Sequence, residues 1–202
     1  MIVELRQYTL HPGRRDELIE LFEREFVEPQ EALGVRVLGT FRDIDDPDKF
    51  VWLRAFPDPA TRLACLTGFY GGPVWRRHRD ASNATMVDSD DVLLLEHVTG
   101  DLSTAERSGP SRVLAVVRIL RTDVEPDLDS VPRLLGAPVV VLRTSGLAND
   151  FPALPVREDR AVVWLARFTD ADAARVARKA FEEADPTVQV LELEPTARSA
   201  YR

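Results

Sequence analysis

An eight-residue segment occurs twice in this chain, each time as an apolar run that ends in aspartate and leads into a helical pattern. The first copy is residues 51–58 (VWLRAFPD), and the second is residues 163–170 (VWLARFTD). Such a repeat predicts that the two halves of the chain fold as copies of one unit. It also marks where the copies differ, because Arg54 in the first copy corresponds to Ala166 in the second.

Each half shows the order strand, helix, strand, strand, helix, strand of a ferredoxin-like unit. Strands are predicted at residues 2–10, 35–41, 50–56 and 92–98 in the first half, and at 113–120, 139–144, 161–168 and 188–193 in the second. Helices are predicted from residue 14 to about 29, at 59–69 and 74–81, and at 128–135 and 171–184. We predict a first repeat over residues 1–99, a linker over 100–111 and a second, diverged repeat over 112–202.

The two predicted sheets each have one face without helices, and this face must also be covered. Two units in one chain can cover each other. The sequence therefore predicts an α+β fold in which the two ferredoxin-like repeats pack sheet to sheet as one α/β barrel, with the helices outside. Polar residues on the strand faces opposite the helices would then line the barrel interior.

Three stretches of the first half carry a family resemblance. They are residues 4–13 (ELRQYTLHPG), residues 51–56 followed by Arg62, and residues 73–75 (PVW). Together they resemble the NIPSNAP family of the dimeric α/β-barrel superfamily, over roughly residues 1–100. The resemblance implies a tandem barrel but no single reaction, because the superfamily includes cofactor-independent monooxygenases, haem-degrading enzymes, lactone isomerases and aldoxime dehydratases.

The first predicted strand carries an acid, a cation and a phenol on one face, because Glu4, Arg6 and Tyr8 alternate along it. If this face lines the barrel, Arg6 would bind an anionic or carbonyl substrate, while Glu4 and Tyr8 would serve in catalysis. The structural alternative is a Glu–Arg ion pair that closes the barrel interior, since buried charges are normally paired.

An aromatic wall with one guanidinium is predicted on the third strand, where Trp52 and Arg54 share a face. We expect Trp52 to contact substrate and Arg54 to act in catalysis by holding an anion. Core packing is the alternative for Trp52, because Trp164 has the same place in the second repeat. A purely structural role explains Arg54 less well, since its counterpart is an alanine.

Four further residues complete the predicted site. His78 is the expected general acid or base, on a helix that would cap the barrel mouth, although a solvated histidine among arginines is the alternative. Phe41 and Trp75 are expected to shape the cavity. His97 alternates with leucines on the last strand of the first repeat and is expected either to line the site or to pack on an apolar face.

Composition and motifs exclude several classes of function. The formal net charge of −8 argues against nucleic-acid binding. The single cysteine, Cys65, forms no intrachain disulfide, and no His or Cys spacing typical of a metal site occurs. The glycine-rich nucleotide motifs and GxSxG are absent. No secretory signal or stretch of about 20 apolar residues is present, so we expect no membrane partner and a cytoplasmic location.

The sequence therefore favours a small-molecule enzyme without a tightly bound cofactor, acting on an aromatic or enolisable substrate. A monooxygenase, an isomerase or cyclase, and a lyase all remain open. The first alternative is a non-enzymatic barrel that binds a small molecule or another protein. The second is a haem-binding enzyme, since one histidine can serve as an axial ligand. Association of two barrels into a homodimer is compatible with the sequence.

Overall fold

A computed structural model describes residues 1–103, 111–122, 127–128 and 130–202; most of the predicted linker lies outside these ranges. The first repeat consists of β1 (Ile2–Leu10), α1 (Arg15–Glu25), α2 (Val27–Glu31), β2 (Arg36–Asp43), β3 (Lys49–Phe56), α3 (Pro59–Tyr70), α4 (Pro73–Asn83) and β4 (Met86–Thr99). The second consists of β5 (Arg112–Ile119), α5 (Ser130–Leu135), β6 (Val139–Thr144), β7 (Ala161–Phe168), α6 (Ala171–Ala184) and β8 (Gln189–Pro195).

The eight strands form one closed antiparallel barrel in the order β1-β3-β2-β8-β5-β7-β6-β4. Within each repeat the strands follow the ferredoxin-like order, and the repeats join where β2 pairs with β8 and β4 pairs with β6. The predicted α+β barrel of two ferredoxin-like repeats is thus confirmed. None of the helices described here combines the length and hydropathy that a bilayer-spanning helix requires.

The repeated aspartate has a structural role in both halves. Asp58 precedes α3, and its carboxylate accepts a hydrogen bond from the Thr61 backbone N–H. Asp170 precedes α6 and accepts in the same way from Asp172. Side-chain acceptors at this position pair amide groups that the first helical turn leaves free. The motif therefore ends a strand and starts the helix that packs outside it.

The barrel interior is filled by aliphatic side chains. Every strand contributes residues to one buried core cluster, and on β1 and β3 these are the residues that flank the polar ones: Val3, Leu5, Val51, Leu53 and Ala55. The prediction that the polar strand faces line the barrel is wrong. In β1 and β3 the apolar face points into the barrel, and the polar and aromatic face meets the helices of the first repeat.

Phe41 also points into this filled interior, contrary to its predicted role at the cavity. The cause is a register shift in β2. Val37 pairs with Arg54, but the next pair is Gly39 with Leu53, so one extra residue is inserted. This bulge changes the alternation along β2 and turns Phe41 to the face opposite Trp52.

Candidate functional site

A cluster of four charged side chains is buried between the sheet and the helices of the first repeat. Glu4 lies at its centre and accepts three hydrogen bonds of 2.8 Å, from Arg6 Nη1, Arg54 Nε and Arg62 Nε. All four side chains are at most 2% exposed. Strand pairing places Glu4 directly beside Arg54, while Arg62 reaches the carboxylate from α3.

The surroundings of Glu4 keep it ionised. Burial alone would raise its pKa, but the guanidinium groups of Arg54, Arg6 and Arg62 outweigh burial and lower the pKa from 4.5 to about 2. Burial opposes the charge of Arg6 too, yet its pKa is raised by Tyr8 and Glu4. Glu4 and Arg6 are therefore both charged at neutral pH.

Tyr8 connects this cluster to a cavity. Its hydroxyl oxygen accepts a hydrogen bond of 2.9 Å from Arg6 Nε. Burial raises the pKa of Tyr8 and outweighs the opposing effect of Arg6, so the phenol is protonated at neutral pH. Its hydroxyl hydrogen has no acceptor among the described residues. Tyr8 can therefore donate a hydrogen bond to a ligand while Arg6 polarises the same oxygen.

The cavity has a volume of about 30 Å³ and lies between the sheet and helices α1 to α4. It has room for about two water molecules. Its walls are mainly aromatic, with Gln30 and Ser82 as polar members; they consist of Tyr8, Leu18, Phe22, Phe26, Gln30, Trp52, Phe69, Tyr70, Trp75, Ser82 and Met86. Gln30 also accepts a hydrogen bond of 3.0 Å from Arg54, which links the cavity wall to the charged cluster.

A loop of the second repeat, residues 145–160, reaches the far side of this site. Asp150 forms an ion pair with Arg62, and Asn149 accepts a hydrogen bond of 3.1 Å from the same guanidinium. Phe151 packs against Tyr70 with ring centroids 5.9 Å apart. The second repeat thus contributes one charge and one aromatic ring to the surroundings of the cluster.

The structure brings most of the predicted site residues together, although outside the barrel. Glu4, Arg6 and Arg54 form the charged cluster. Tyr8, Trp52 and Trp75 line the cavity.

The two predicted histidines lie elsewhere. His78 is half-buried on α4, 3.4 Å from the Glu25 carboxylate, and its ring lies 6.3 Å from that of Phe26, which lines the cavity. His97 is at the end of β4, with its ring Nε2 2.9 Å from the Gly100 carbonyl oxygen. Neither histidine is among the residues that line the cavity.

Several contributors to the site were missed or left without a role. Arg62 entered the sequence reasoning only through the family resemblance, yet it follows the helix-capping Asp58 by one turn, which directs it back onto the strands. Gln30 comes four residues after Phe26 and so continues the apolar stripe of the preceding helix as a buried amide. A polar residue inside such an apolar stripe is a pattern by which sequence analysis can detect a contributor to the site. The sequence contains no comparable pattern for Tyr70 or for the loop of the second repeat.

The second repeat has aliphatic residues at every position of the charged cluster. Leu114 pairs with Ala166 as Glu4 pairs with Arg54, and Val116 pairs with Trp164 as Arg6 pairs with Trp52. Ala174 follows its helix cap by four residues, as Arg62 does. These four counterparts (Leu114, Val116, Ala166 and Ala174) are completely buried. The fold therefore forms a stable layer at this place without any charge.

Other parts of the described chain offer less defined sites. No group of three His, Cys, Asp or Glu side chains that could hold a metal ion occurs in the ranges the structure describes. Two larger cavities of about 530 and 720 Å³ lie along residues 144–162 and are open to solvent. Their arginines include Arg143, which pairs with Glu96, and Arg157, which pairs with Asp91 and Asp159. They lack the enclosed aromatic walls of the smaller cavity.

Comparison with known proteins is consistent with this architecture. Residues 3–98 match the model of the NIPSNAP family. A candidate monooxygenase from Fusobacterium nucleatum is 13% identical, with a TM-score of 0.62 over 96% of this chain and 91% of that one. A candidate monooxygenase from Lactobacillus acidophilus is also 13% identical, with a TM-score of 0.57 over 96% of this chain and 93% of its own.

A third structure, a NIPSNAP domain protein from Burkholderia xenovorans, is 19% identical, with a TM-score of 0.44 over 49% of this chain and 96% of its own. No curated protein matches the chain. At these identities the two longer similarities show a shared fold and nothing about the reaction.

Proposed function

We propose that this chain, whose residues 3–98 belong to the NIPSNAP family, is an enzyme without a tightly bound cofactor that acts on an aromatic or enolisable small molecule. The substrate binds between the sheet and the helices of the first repeat, because the barrel interior is filled. The observation that carries the proposal is the position of Tyr8, whose hydroxyl oxygen accepts a hydrogen bond from Arg6 and which lines an aromatic cavity.

In this proposal, Tyr8 donates a hydrogen bond to an oxygen of the substrate. Negative charge that develops on this oxygen during enolisation is stabilised by the hydroxyl and by the guanidinium of Arg6 behind it. Fixed donors of this kind act strongly where water is excluded. The rings of Trp52 and Trp75 provide faces and edges against which a planar substrate can pack.

The surroundings of the cavity favour stabilisation of an anion over general base catalysis. Glu4 is held by three guanidinium groups, and a carboxylate with a pKa of about 2 is a weak base. His78 lies beside Glu25, outside the cavity. An enolisable substrate that is acidic enough to lose its proton to water suits such a site, because it can bind as the enolate without a base from the protein. Oxygenation, isomerisation and elimination can each proceed from a stabilised enolate.

An aromatic substrate requires the cavity wall to open, because a cavity of about 30 Å³ does not hold a six-membered ring. Phe69 and Tyr70 end α3, and Trp75 begins α4 after the break at Gly71 and Gly72. These three rings form part of the wall on the helical side. In the proposal, substrate binding displaces these rings, while Glu4, Arg6 and Arg54 on the sheet stay in place.

Haem fits this site poorly. None of the residues that line the enclosed cavity is a histidine or a cysteine, and the cavity is far smaller than a porphyrin. Its polar groups are two phenols, one aliphatic hydroxyl, one amide and two indole N–H groups, from Tyr8, Tyr70, Ser82, Gln30, Trp52 and Trp75.

Substituting Tyr8 by Phe tests the proposal with little change in packing. We expect wild-type protein to bind 4-nitrophenol as its phenolate and to lower the apparent pKa of the bound ligand. Tyr8→Phe should weaken phenolate binding by about tenfold or more, since a hydrogen bond to a charged group contributes roughly 1.5–3 kcal/mol. Absorbance titration of the ligand measures both quantities.

The matched control is Tyr201→Phe, because Tyr201 is also buried but belongs to the core cluster inside the barrel and does not line the cavity. Equal phenolate affinity in wild type and Tyr8→Phe would contradict the proposed role. Incubation of a panel of phenols and 1,3-dicarbonyl compounds with both proteins, followed by mass spectrometry, then separates an enzyme from a protein that only binds its ligand.

A further inference from the structure

The charged cluster beneath the cavity has a net charge of +1, even when its neighbour Asp150 is included. Arg6, Arg54 and Arg62 are opposed by Glu4 and, at one guanidinium only, by Asp150. Among the described residues, no other carboxylate lies within 4 Å of these three groups. Tyr8 and Cys65 do not supply the missing negative charge at neutral pH, because burial raises the pKa of both the phenol and the thiol.

An unbalanced buried charge opposes folding, since a guanidinium loses its hydration and regains it only through partners. The second repeat shows that the fold does not demand this arrangement, because Leu114, Val116, Ala166 and Ala174 occupy the equivalent positions. The surplus charge is therefore explained by a partner that binds the folded protein, and this partner is an anion.

Unused donors next to the cavity support the same conclusion. The indole Nε1 of Trp52 is buried without a hydrogen-bond acceptor, although Trp52 lines the cavity. The hydroxyl hydrogen of Tyr8 is likewise without an acceptor among the described residues. Two donors of the cavity wall, the Trp52 indole and the Tyr8 hydroxyl, thus lack an oxygen partner.

The guanidinium groups lie directly behind the wall of the cavity. The central carbon of Arg54 is 5.0 Å from the centre of the Trp52 ring and 5.9 Å from that of Tyr70. That of Arg6 is 5.5 Å from the centre of the Tyr8 ring. A negative charge in the cavity is therefore one side chain away from two guanidinium groups, and water does not screen the attraction there.

We infer that the ligand of this site binds as a monoanion, with a carboxylate or enolate oxygen directed at Tyr8 and the charge balanced by Arg54. This rests on the proposed function for the location of the site and adds the charge state of the ligand. Arg54 acts here as a specificity-determining residue. Neutral molecules of the same shape bind less tightly, because they leave the surplus charge uncompensated.

Two pairs of probes test this inference: formate against formamide, and benzoate against benzamide. Within each pair the shape is nearly constant and only the charge differs. We expect each anion to bind at least about tenfold more tightly than its amide at neutral pH and matched ionic strength. Dissociation constants come from calorimetry for the aromatic pair and from the concentration dependence of the melting temperature for the small pair.

Two variants shift the charge balance in opposite directions. Arg54→Met leaves two guanidiniums and two carboxylates, so the preference for the anion should fall to near equality while amide binding persists. Asp150→Asn raises the surplus, so the preference should increase about threefold. Arg118→Met is the matched control, because Arg118 lies 5.6 Å from the Trp164 ring and pairs with Asp185 in the second repeat. Asp150 is partly exposed, so its variant folds even if Arg54→Met does not.

The outcomes separate the inference from the proposed function. If benzoate and benzamide bind equally and Asp150→Asn changes nothing, the monoanion is wrong while a binding site for aromatic compounds remains. If formate is preferred over formamide but neither aromatic compound binds, the anion site stands and the proposed aromatic substrate is wrong. If none of the four compounds binds, both are wrong.

Discussion

Replacing Glu4 alone by leucine is expected to lower the free energy of unfolding by about 3–5 kcal/mol, because the change leaves three guanidinium groups buried around an apolar side chain. Replacing the whole cluster should cost far less. The variant with Glu4→Leu, Arg6→Met, Arg54→Met and Arg62→Met keeps similar side-chain volumes and removes every charge at once. We expect its free energy of unfolding to equal or exceed that of the wild type.

Urea denaturation followed by circular dichroism measures both variants. The control is Glu192→Gln, since Glu192 is also buried but its partners Arg112 and Arg178 are partly exposed and pair with other carboxylates. We expect the control to lose at most about 1 kcal/mol. A quadruple variant as unstable as the single one would mean that the cluster holds the fold together, and the argument for a ligand would lose its main support.

Acid is expected to destabilise the wild-type protein by about 3 kcal/mol through Glu4 alone. The pKa of Glu4 is about 2 in the folded chain, against an ordinary value of 4.5. The unfolded state therefore binds the proton first, and the stability that Glu4 provides is complete above pH 4.5. It decreases as the pH falls and is lost below about pH 2, at roughly 1.36 kcal/mol for each unit of difference between the two pKa values.

The measurement is the free energy of unfolding between pH 6 and pH 2 for the wild type and the quadruple variant. Other carboxylates whose pKa is lowered, such as Asp58 and Asp185, are present in both proteins and cancel in the difference between the two curves. This difference reports Glu4 together with the Arg62–Asp150 ion pair, which the quadruple variant also removes. Parallel curves across this range would show that Glu4 has an ordinary pKa and is not held by the three arginines.

Much of the fold could be predicted from the sequence because both periodicities are clear. The predicted bounds of β6, β7 and α6 agree with the structure. The prediction for β4 was too short: it started at residue 92, whereas the strand begins at Met86. The additional residues are rich in aspartate, and their pairing with Thr9 and Leu10 of β1 keeps them extended. The pattern of hydrophobic residues contains no information about such hydrogen bonding between the backbones of two strands.

The direction in which the strands face could not be predicted. In β1 both faces are buried, one against the opposite sheet and one against helices, so alternation separates Glu4 from Leu5 without saying which meets the barrel interior. The difference between Arg54 and its counterpart Ala166 indicates that the first repeat differs from the second at this place, and the charged cluster lies there. The contacts of Arg62 with Glu4 and Asp150 depend on how a helix and a distant loop pack, and no local pattern contains that information.

The difference between the two halves also has a consequence for symmetry. A barrel built from two identical subunits has a two-fold axis, so it carries every cluster twice. In this chain only one half has the charges, and the other half has Leu114, Val116, Ala166 and Ala174 in their place. Each barrel therefore carries this charged cluster once, and a loop of the second half contacts the cluster of the first through Asp150 and Asn149.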